Sequence, residues 1–214
     1  MELSKRVQSV APSVTLAIAA KAQEMRAQGI DVVSLSAGEP DFDTPDYIKQ
    51  AAIDALKKGA TKYTQVAGTP ELRKAIAEKL ERDQGLKFPT DQIIVSVGAK
   101  HAIFNVMFAL LNEGETVAIP APYWLSYPEM VTVLGGKSRI IPTTEETEFK
   151  VTPEILKKYL DQNTRLFILN SPSNPTGAVY SQKELAAVAE VLKSFPKLII
   201  LRSEEHTSEL QSQR

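Results

Sequence analysis

Apolar residues along this chain fall into short unbroken runs separated by longer mixed stretches. The runs are Ile93-Ile94-Val95-Ser96-Val97, Thr116-Val117-Ala118-Ile119, Ser138-Arg139-Ile140-Ile141, Arg165-Leu166-Phe167-Ile168-Leu169 and Lys197-Leu198-Ile199-Ile200-Leu201. Several are continuously apolar where a half-exposed strand would alternate, which suits strands covered on both faces by helices, as in a parallel sheet. Asp31-Val32-Val33-Ser34-Leu35 reads as a further short strand. Between the runs lie helical segments. Ser13 to Gln28 has helix-forming composition and Gly29 suits its C-terminal end. Thr44-Pro45-Asp46, Thr69-Pro70-Glu71 and Thr152-Pro153-Glu154 share one helix-start signature. In it threonine caps free N–H groups, proline needs no N–H, and the acid faces the positive dipole end. Ser181 with Glu184 forms a capping box for another helix, and Lys100 to Leu111 is predicted helical. Strands alternating with helices predict an α/β fold.

Composition narrows the function classes. The chain has 214 residues, 43% hydrophobic and 24% charged, with 25 basic and 26 acidic side chains. That is globular composition, long enough for one domain with a full core. Without a basic excess or a clustered basic face there is no nucleic-acid footprint. The absence of cysteine excludes disulfides, thiolate zinc sites and cysteine nucleophiles. Met1 to Val10 lacks the apolar core of a signal peptide, and no run is long enough to span a bilayer. These features predict a soluble, cytoplasmic protein with no membrane or nucleic-acid partner. A metal site is not expected, since His101 is the only histidine before the last 13 residues, Arg202 to Arg214. His101 itself reads as helix-surface or core packing.

Four segments can carry chemistry. Val97-Gly98-Ala99-Lys100 lies between an expected strand and an expected helix, where free N–H groups, small residues and a lysine suit an anion. The same turn would need Gly98 for geometry alone. Trp124, the only tryptophan, sits in Pro120-Ala121-Pro122-Tyr123-Trp124, on a loop stiffened by proline. Its face can stack on an aromatic ligand and its N–H can hold a carboxylate, or it can simply fill a core. Ser171-Pro172-Ser173-Asn174-Pro175-Thr176-Gly177 follows a strand, the usual place for a ligand-facing loop in an α/β sheet. Asn174 can donate to an oxyanion there, although Asn-Pro and Thr-Gly also mark plain turns. Gly38-Glu39-Pro40-Asp41-Phe42-Asp43 can bring a backbone N–H to a carboxylate. Tyr63 can offer a hydroxyl to a phosphate or merely pack.

In this order and spacing, the four segments resemble the first half of the class I (fold-type I) aminotransferases that depend on pyridoxal 5′-phosphate (PLP). The resemblance runs from Leu3 to Leu201 and is closest to the aspartate-type bacterial branch. Its longest matches are Gly38 to Pro45, Pro122-Tyr123-Trp124-Leu125-Ser126-Tyr127-Pro128-Glu129-Met130 and Asn170 to Tyr180. It implies a PLP-dependent transferase of fold type I, with a mostly parallel sheet flanked by helices in a truncated large domain. Residues 1–44 would be an N-terminal arm and part of a small domain, and residues 45–201 an incomplete PLP-binding large domain. By the same resemblance Gly98, Ala99 and Lys100 would cradle the PLP phosphate, Trp124 would stack on the pyridine ring, and Asn174 would bond its phenolic oxygen. Trp124 and Asn174 would also touch the substrate, whose α-carboxylate would meet the backbone of Gly38. Tyr63 would reach a phosphate in a partner subunit, implying a homodimer. In an alternative role, Lys100 would meet the distal carboxylate of an acidic substrate. Cis peptides are expected before Pro122 and Pro175. The implied reaction moves an amino group from an acidic amino acid such as aspartate to a 2-oxo acid.

The end of the chain departs from that family. Residues 202–214 have no apolar periodicity and resemble a translated sequencing adapter, so they are expected to be a non-native, disordered tail. The pyridinium-binding aspartate expected just beyond Leu201 is replaced by Ser203 and Glu204, and no lysine follows Lys197. The Schiff-base lysine is therefore missing, no catalytic residue is assigned, and the fragment itself is expected to be inactive. Alternatives are another fold-type I PLP enzyme (an aromatic or alanine aminotransferase, or a carbon–sulfur lyase) and a ligand-sensing aminotransferase-like module.

Overall fold

The computed structural model describes residues 2–35, 38 and 42–203. In chain order its elements are α1 (Lys5–Gln8), α2 (Val14–Ala27), α3 (Asp46–Lys57), α4 (Pro70–Gln84), α5 (Gly98–Leu110), β1 (Thr116–Ala121), α6 (Ser126–Val133), β2 (Lys137–Pro142), α7 (Pro153–Tyr159), β3 (Thr164–Asn170), α8 (Gln182–Leu192) and β4 (Ile199–Ser203). Short 3-10 turns add Thr90–Gln92 and Glu145–Thr147. Two compact units result, one of Pro12–Ser96 and one of Met1–Ala11 with Val97–Arg214.

In the Pro12–Ser96 unit, helix ends follow the capping chemistry of the sequence. Ser13 caps α2 by accepting the Leu16 N–H, and Gly29 follows at a φ of 79°. Thr69 caps α4 by accepting the Leu72 N–H, and Gly85 ends it in the left-handed region. The start of α3 differs from expectation. Its N-cap is Pro45, with no side-chain cap, so Thr44 does not play the predicted part. Two expected strands are also absent. Asp31–Leu35 and Ile93–Val97 form no ladder among the described residues. Strand-forming side chains need a neighbouring strand to become a strand, and here none is supplied. Instead the Val95 N–H donates to the Ala67 carbonyl at 2.9 Å. Gly68, at a φ of 103°, lets this approach happen, because a Cβ there would lie 2.6 Å from Val95 Cγ2. Arg73 braces the same turn through Gln65 Oε1 at 2.8 Å and the Thr90 carbonyl at 3.2 Å.

The other unit is a three-layer α/β sandwich. Its sheet is wholly parallel, in the order β2-β1-β3-β4. Successive residues of β1 and β3 point to opposite faces, and both faces are buried. Val117, Ile119, Leu166 and Ile168 pack with Ile103 and Met107 of α5 and Tyr127, Met130 and Val131 of α6. Ala118, Ile141 and Phe167 pack with Leu156 of α7 and Val188, Val191 and Leu192 of α8. Two-sided burial is why these strands carry no polar alternation. Val117, Phe167 and Leu166 are fully buried, and each such side chain stabilises the fold by roughly 1.5–3 kcal/mol. β4 starts later than its apolar run suggests and extends through Arg202 and Ser203, which pair with Leu169 and Asn170. The neighbouring backbone extends the strand past the point where hydropathy ends.

Caps in this unit match the sequence expectation. Thr152 accepts the Ile155 N–H, and Ser181 and Glu184 form the capping box of α8. Glu184 also takes Lys150 Nζ at 2.6 Å, while Glu148 takes the same ammonium at 2.6 Å.

Candidate functional site

The sheet order itself locates a site. The connection from β1 to β2 runs through α6 on one face, whereas those to β3 and β4 run through α7 and α8 on the other. The chain thus winds in opposite directions from the β1/β3 pair. In such sheets ligands bind beyond the carboxyl ends of the strands at this switch point. The loops leaving β1 and β3 here are Pro122–Leu125 and Ser171–Gly177, which hold Trp124 and Asn174.

Both loops are shaped by proline. The peptides Ala121–Pro122 and Asn174–Pro175 are cis, as expected, and so is Ser171–Pro172, which was not foreseen. Gly177 has a φ of 72°. The Asn174 N–H donates to Asn170 Oδ1 at 2.7 Å, and Asn170 Nδ2 donates to the Ser203 carbonyl at 3.3 Å. The Asn174 side-chain amide has no partner among the described residues and is available to a ligand.

Trp124 is half-buried against the α5/α6 core and meets Tyr127 edge-on, with ring centroids 5.4 Å apart. Lys100 Nζ lies 5.0 Å from the centroid of the Trp124 ring. That distance is within cation–π range. The first turn of α5 is thereby brought to the indole. Gly98, with a φ of 77°, faces open space, since a Cβ there would meet nothing within 4 Å. Gly98, Ala99 and Lys100 are exposed. No acid or side-chain cap occupies the start of α5, so its positive end is open to an anion.

A small cavity of about 20 Å³ lies at the switch point. It is lined by Tyr123, Tyr127, Phe149, Asn170, Asn174 and Tyr180, among others. It has room for about one water, so a larger ligand would rest on the surface around it. Neither Trp124 nor the Gly98 turn lines it, and Tyr127 connects them to it. A larger concavity of about 670 Å³ opens at the opposite end of the sheet, where Thr116, Lys137 and Thr164 begin their strands. Its position at the amino ends argues against a cofactor site. Its cations are partly engaged: Arg139 binds Asp161 at 2.7 Å, and Arg165 donates to the Leu110 and Lys197 carbonyls.

The structure therefore brings Lys100 to Trp124, and puts Trp124 and Asn174 on loops at the carboxyl end of the sheet. Gly38 and Tyr63 belong to the other unit. Both are exposed there, Tyr63 fully. Glu39, Pro40 and Asp41, next to Gly38, lie outside the described residues. Sequence reasoning missed Asn170, which holds Asn174, and His101, whose Nδ1 accepts the Val97 N–H at 3.2 Å.

Comparison with known proteins settles the family. The profile of "Aminotransferase class I and II" matches residues 30–206. The chain belongs to this family. It is 51% identical over 199 residues to a probable aspartate/prephenate aminotransferase of Rhizobium leguminosarum bv. phaseoli, covering 93% of this chain and 50% of that protein. To the aspartate aminotransferase of Bacillus subtilis it is 48% identical over 200 residues, covering 94% of this chain and 51% of that one. The solved aspartate aminotransferase from Thermus thermophilus with maleate superposes with a TM-score of 0.91 at 46% identity, covering 95% of this chain and 53% of that one. The chain spans about half the length of the curated relatives it matches. The fold is that of PLP-dependent aspartate aminotransferases. The family's cofactor is PLP, and its reaction exchanges an amino group between an amino acid and a 2-oxo acid. The residues present fit that cofactor: an open helix start with a small-residue turn, a cation, an indole face and an unpaired amide. No helix among the described residues is long and apolar enough to cross a membrane.

Proposed function

We propose that this chain is the cofactor-cradling part of an aminotransferase that takes the amino group of an acidic amino acid, such as aspartate, to a 2-oxo acid. The observation that carries the reading is the meeting of Lys100 with Trp124 at the carboxyl end of the sheet, where the Asn174 loop also emerges. When bound, PLP supplies the electron sink that lets a bond to the amino acid's α-carbon break. The chain's own groups hold and orient it. Backbone N–H groups of Gly98 and Ala99, with the Lys100 ammonium, take the phosphate at the positive end of α5. Trp124 gives a flat apolar face for the ring and shields it from water. Asn174, fixed through its backbone to Asn170, donates its free amide to the phenolic oxygen. The Gly38 backbone takes the substrate's α-carboxylate.

Tyr63 supports a dimeric reading. Its side chain is fully exposed, as a group reaching a phosphate in a second subunit would be. We place the enzyme in the cytoplasm as a homodimer. The names of its relatives favour aspartate as amino donor.

Titration of the polypeptide with PLP, followed by fluorescence of its single tryptophan, tests the cofactor role. Saturable quenching is expected, weakened about tenfold or more in Asn174→Ala and Lys100→Ala, since bonds to charged groups are worth about 1.5–3 kcal/mol. Unaltered affinity in both variants would overturn the assignment.

A further inference from the structure

His101 lies one turn into α5, and its Nδ1 accepts the N–H of Val97, the N-cap residue immediately before Gly98. This is a side-chain-to-backbone clamp across the turn that would hold the phosphate. In α8 the corresponding N–H, that of the N-cap residue Ser181, donates to the Glu184 carboxylate at 2.7 Å. A carboxylate accepts at any ordinary pH. An imidazole accepts only through an unprotonated nitrogen, so this clamp needs the neutral ring with its proton on Nε2.

We infer that His101 is a positioning residue for the Gly98 turn, and that its imidazole, by accepting the Val97 N–H through an unprotonated Nδ1, strengthens the turn's grip on a phosphate-bearing ligand, a grip that acid weakens. This rests on the cofactor reading above. Protonation opposes the clamp twice. It puts a second donor against the Val97 N–H, and it adds positive charge near the positive end of α5. The charged groups around the ring do not replace it. Lys100, beside it on α5, lies over Trp124. α6, the helix packed against α5, carries one carboxylate, Glu129, which accepts the Ala11 N–H at 3.1 Å. No ion pair involves His101 among the described residues.

A direct anion contact by His101 would give the opposite trend, with binding strengthened as the ring gains charge. The ligand's own phosphate also titrates near pH ~6, so the wild-type profile must be compared with that of a non-titrating acceptor. His101→Gln keeps an acceptor oxygen and does not change charge, and His101→Leu removes the acceptor. The ring is exposed, so both variants leave the core untouched.

The experiment measures PLP affinity of the full chain, by Trp124 fluorescence, from about pH 8 to pH 5.5, the range over which histidines change charge. Hydrogen exchange of the Val97 amide is followed over the same range. His101→Gln is expected to bind within about twofold of wild type at pH 8 and to lose less affinity in acid. His101→Leu is expected to be weakened about fivefold at pH 8, the effect of one neutral hydrogen bond. Val97 exchange should quicken in acid in wild type more than in His101→Gln. Superimposable pH profiles in wild type and His101→Gln would overturn this inference alone, as would binding that strengthens in acid only when His101 is present. If none of the three proteins binds PLP, the cofactor reading falls and this inference falls with it.

Discussion

The phenolic oxygen of Tyr180 accepts the buried N–H of Val151 at 2.8 Å, joining segments 29 residues apart. Phe149, two residues before Val151, and Tyr180 both line the cavity that Asn174 borders. The contact therefore ties the segment that follows the Asn174 loop to the segment that leads into α7. Burial raises the Tyr180 phenol above its ordinary pKa, so the group stays neutral at all ordinary pH values. Tyr180→Phe keeps the ring and leaves a buried N–H unpaired. It should destabilise the sheet unit by about 1–3 kcal/mol. Urea denaturation read by far-UV circular dichroism measures this, and an unchanged midpoint would count against the contact.

Acid should unfold the sheet unit through two carboxylates. The Lys150 ammonium, followed by the Ser181 hydroxyl and N–H, holds Glu184 at a pKa of about 2. The Arg139 guanidinium, with Thr164 and the Asn163 N–H, holds Asp161 at about 2 against a partial desolvation penalty. Ordinary values are ~4. Depressed groups bind fewer protons folded than unfolded, so their contribution is complete above pH ~4.5 and disappears as pH falls toward 2. Both groups are solvent-accessible, which reduces the magnitude. Melting temperatures between pH 7 and pH 2.5 should fall least steeply in Glu184→Gln and Asp161→Asn. Lys150 is shifted upward by Glu148 and Glu184, so its contribution persists until pH rises past the ordinary lysine range.

Gly68 offers a test in the other unit. At a φ of 103° and with Val95 Cγ2 2.6 Å from a Cβ position, it has no room for a side chain. Gly68→Ala adds backbone strain to a clash with a β-branched side chain. It should destabilise by more than ~1 kcal/mol, read as a lower thermal midpoint. Gly59→Ala, at a φ of 79° with nothing within 4 Å, isolates the backbone part and should cost less.

The outer edge of β4 predicts self-association. In the sheet order β4 is terminal among the described residues, and Ile200 on it is 46% exposed. An apolar edge strand with free backbone groups templates pairing with another chain. Light scattering of the 214-residue polypeptide should show concentration-dependent growth, reduced in Ile200→Lys. A monodisperse monomer at high concentration would contradict this.

Legibility in the sequence followed how local each signal was. β1 and β3 each contain the apolar run that predicts them, because two-sided burial writes itself into consecutive residues, and the mostly exposed β2 contains its run with only Ile141 buried. Asp31–Leu35 and Ile93–Val97 have similar composition, but a strand also needs a partner, and composition does not say whether one arrives. The loops of Trp124 and Asn174 were visible through their prolines, and their placement at a switch point was not, since that depends on which face each crossover takes. The Lys100–Trp124 contact depends on the same topology. His101 could have been found: four residues after an N-cap, a side-chain acceptor points back at the cap's N–H. Thr44 misled because Thr-Pro-Asp was read by analogy with two starts where the threonine does cap.

The last prediction concerns covalent capture of the cofactor by this polypeptide. Fixing PLP by borohydride requires a lysine amine at the reacting carbon. Lys197 lines the concavity at the amino end of the strands, opposite the loops of Trp124 and Asn174. Lys150 is clamped between Glu148 and Glu184. Lys100, whose amine lies 5.0 Å from the centre of the indole ring, is assigned to the phosphate, and an ammonium held by the phosphate does not attack the reacting carbon. Reduction of the 214-residue polypeptide with borohydride in the presence of PLP should therefore leave no stoichiometric adduct at any single lysine. Peptide mass mapping reads the outcome. A stoichiometric adduct at Lys100 would overturn the phosphate role assigned to that residue.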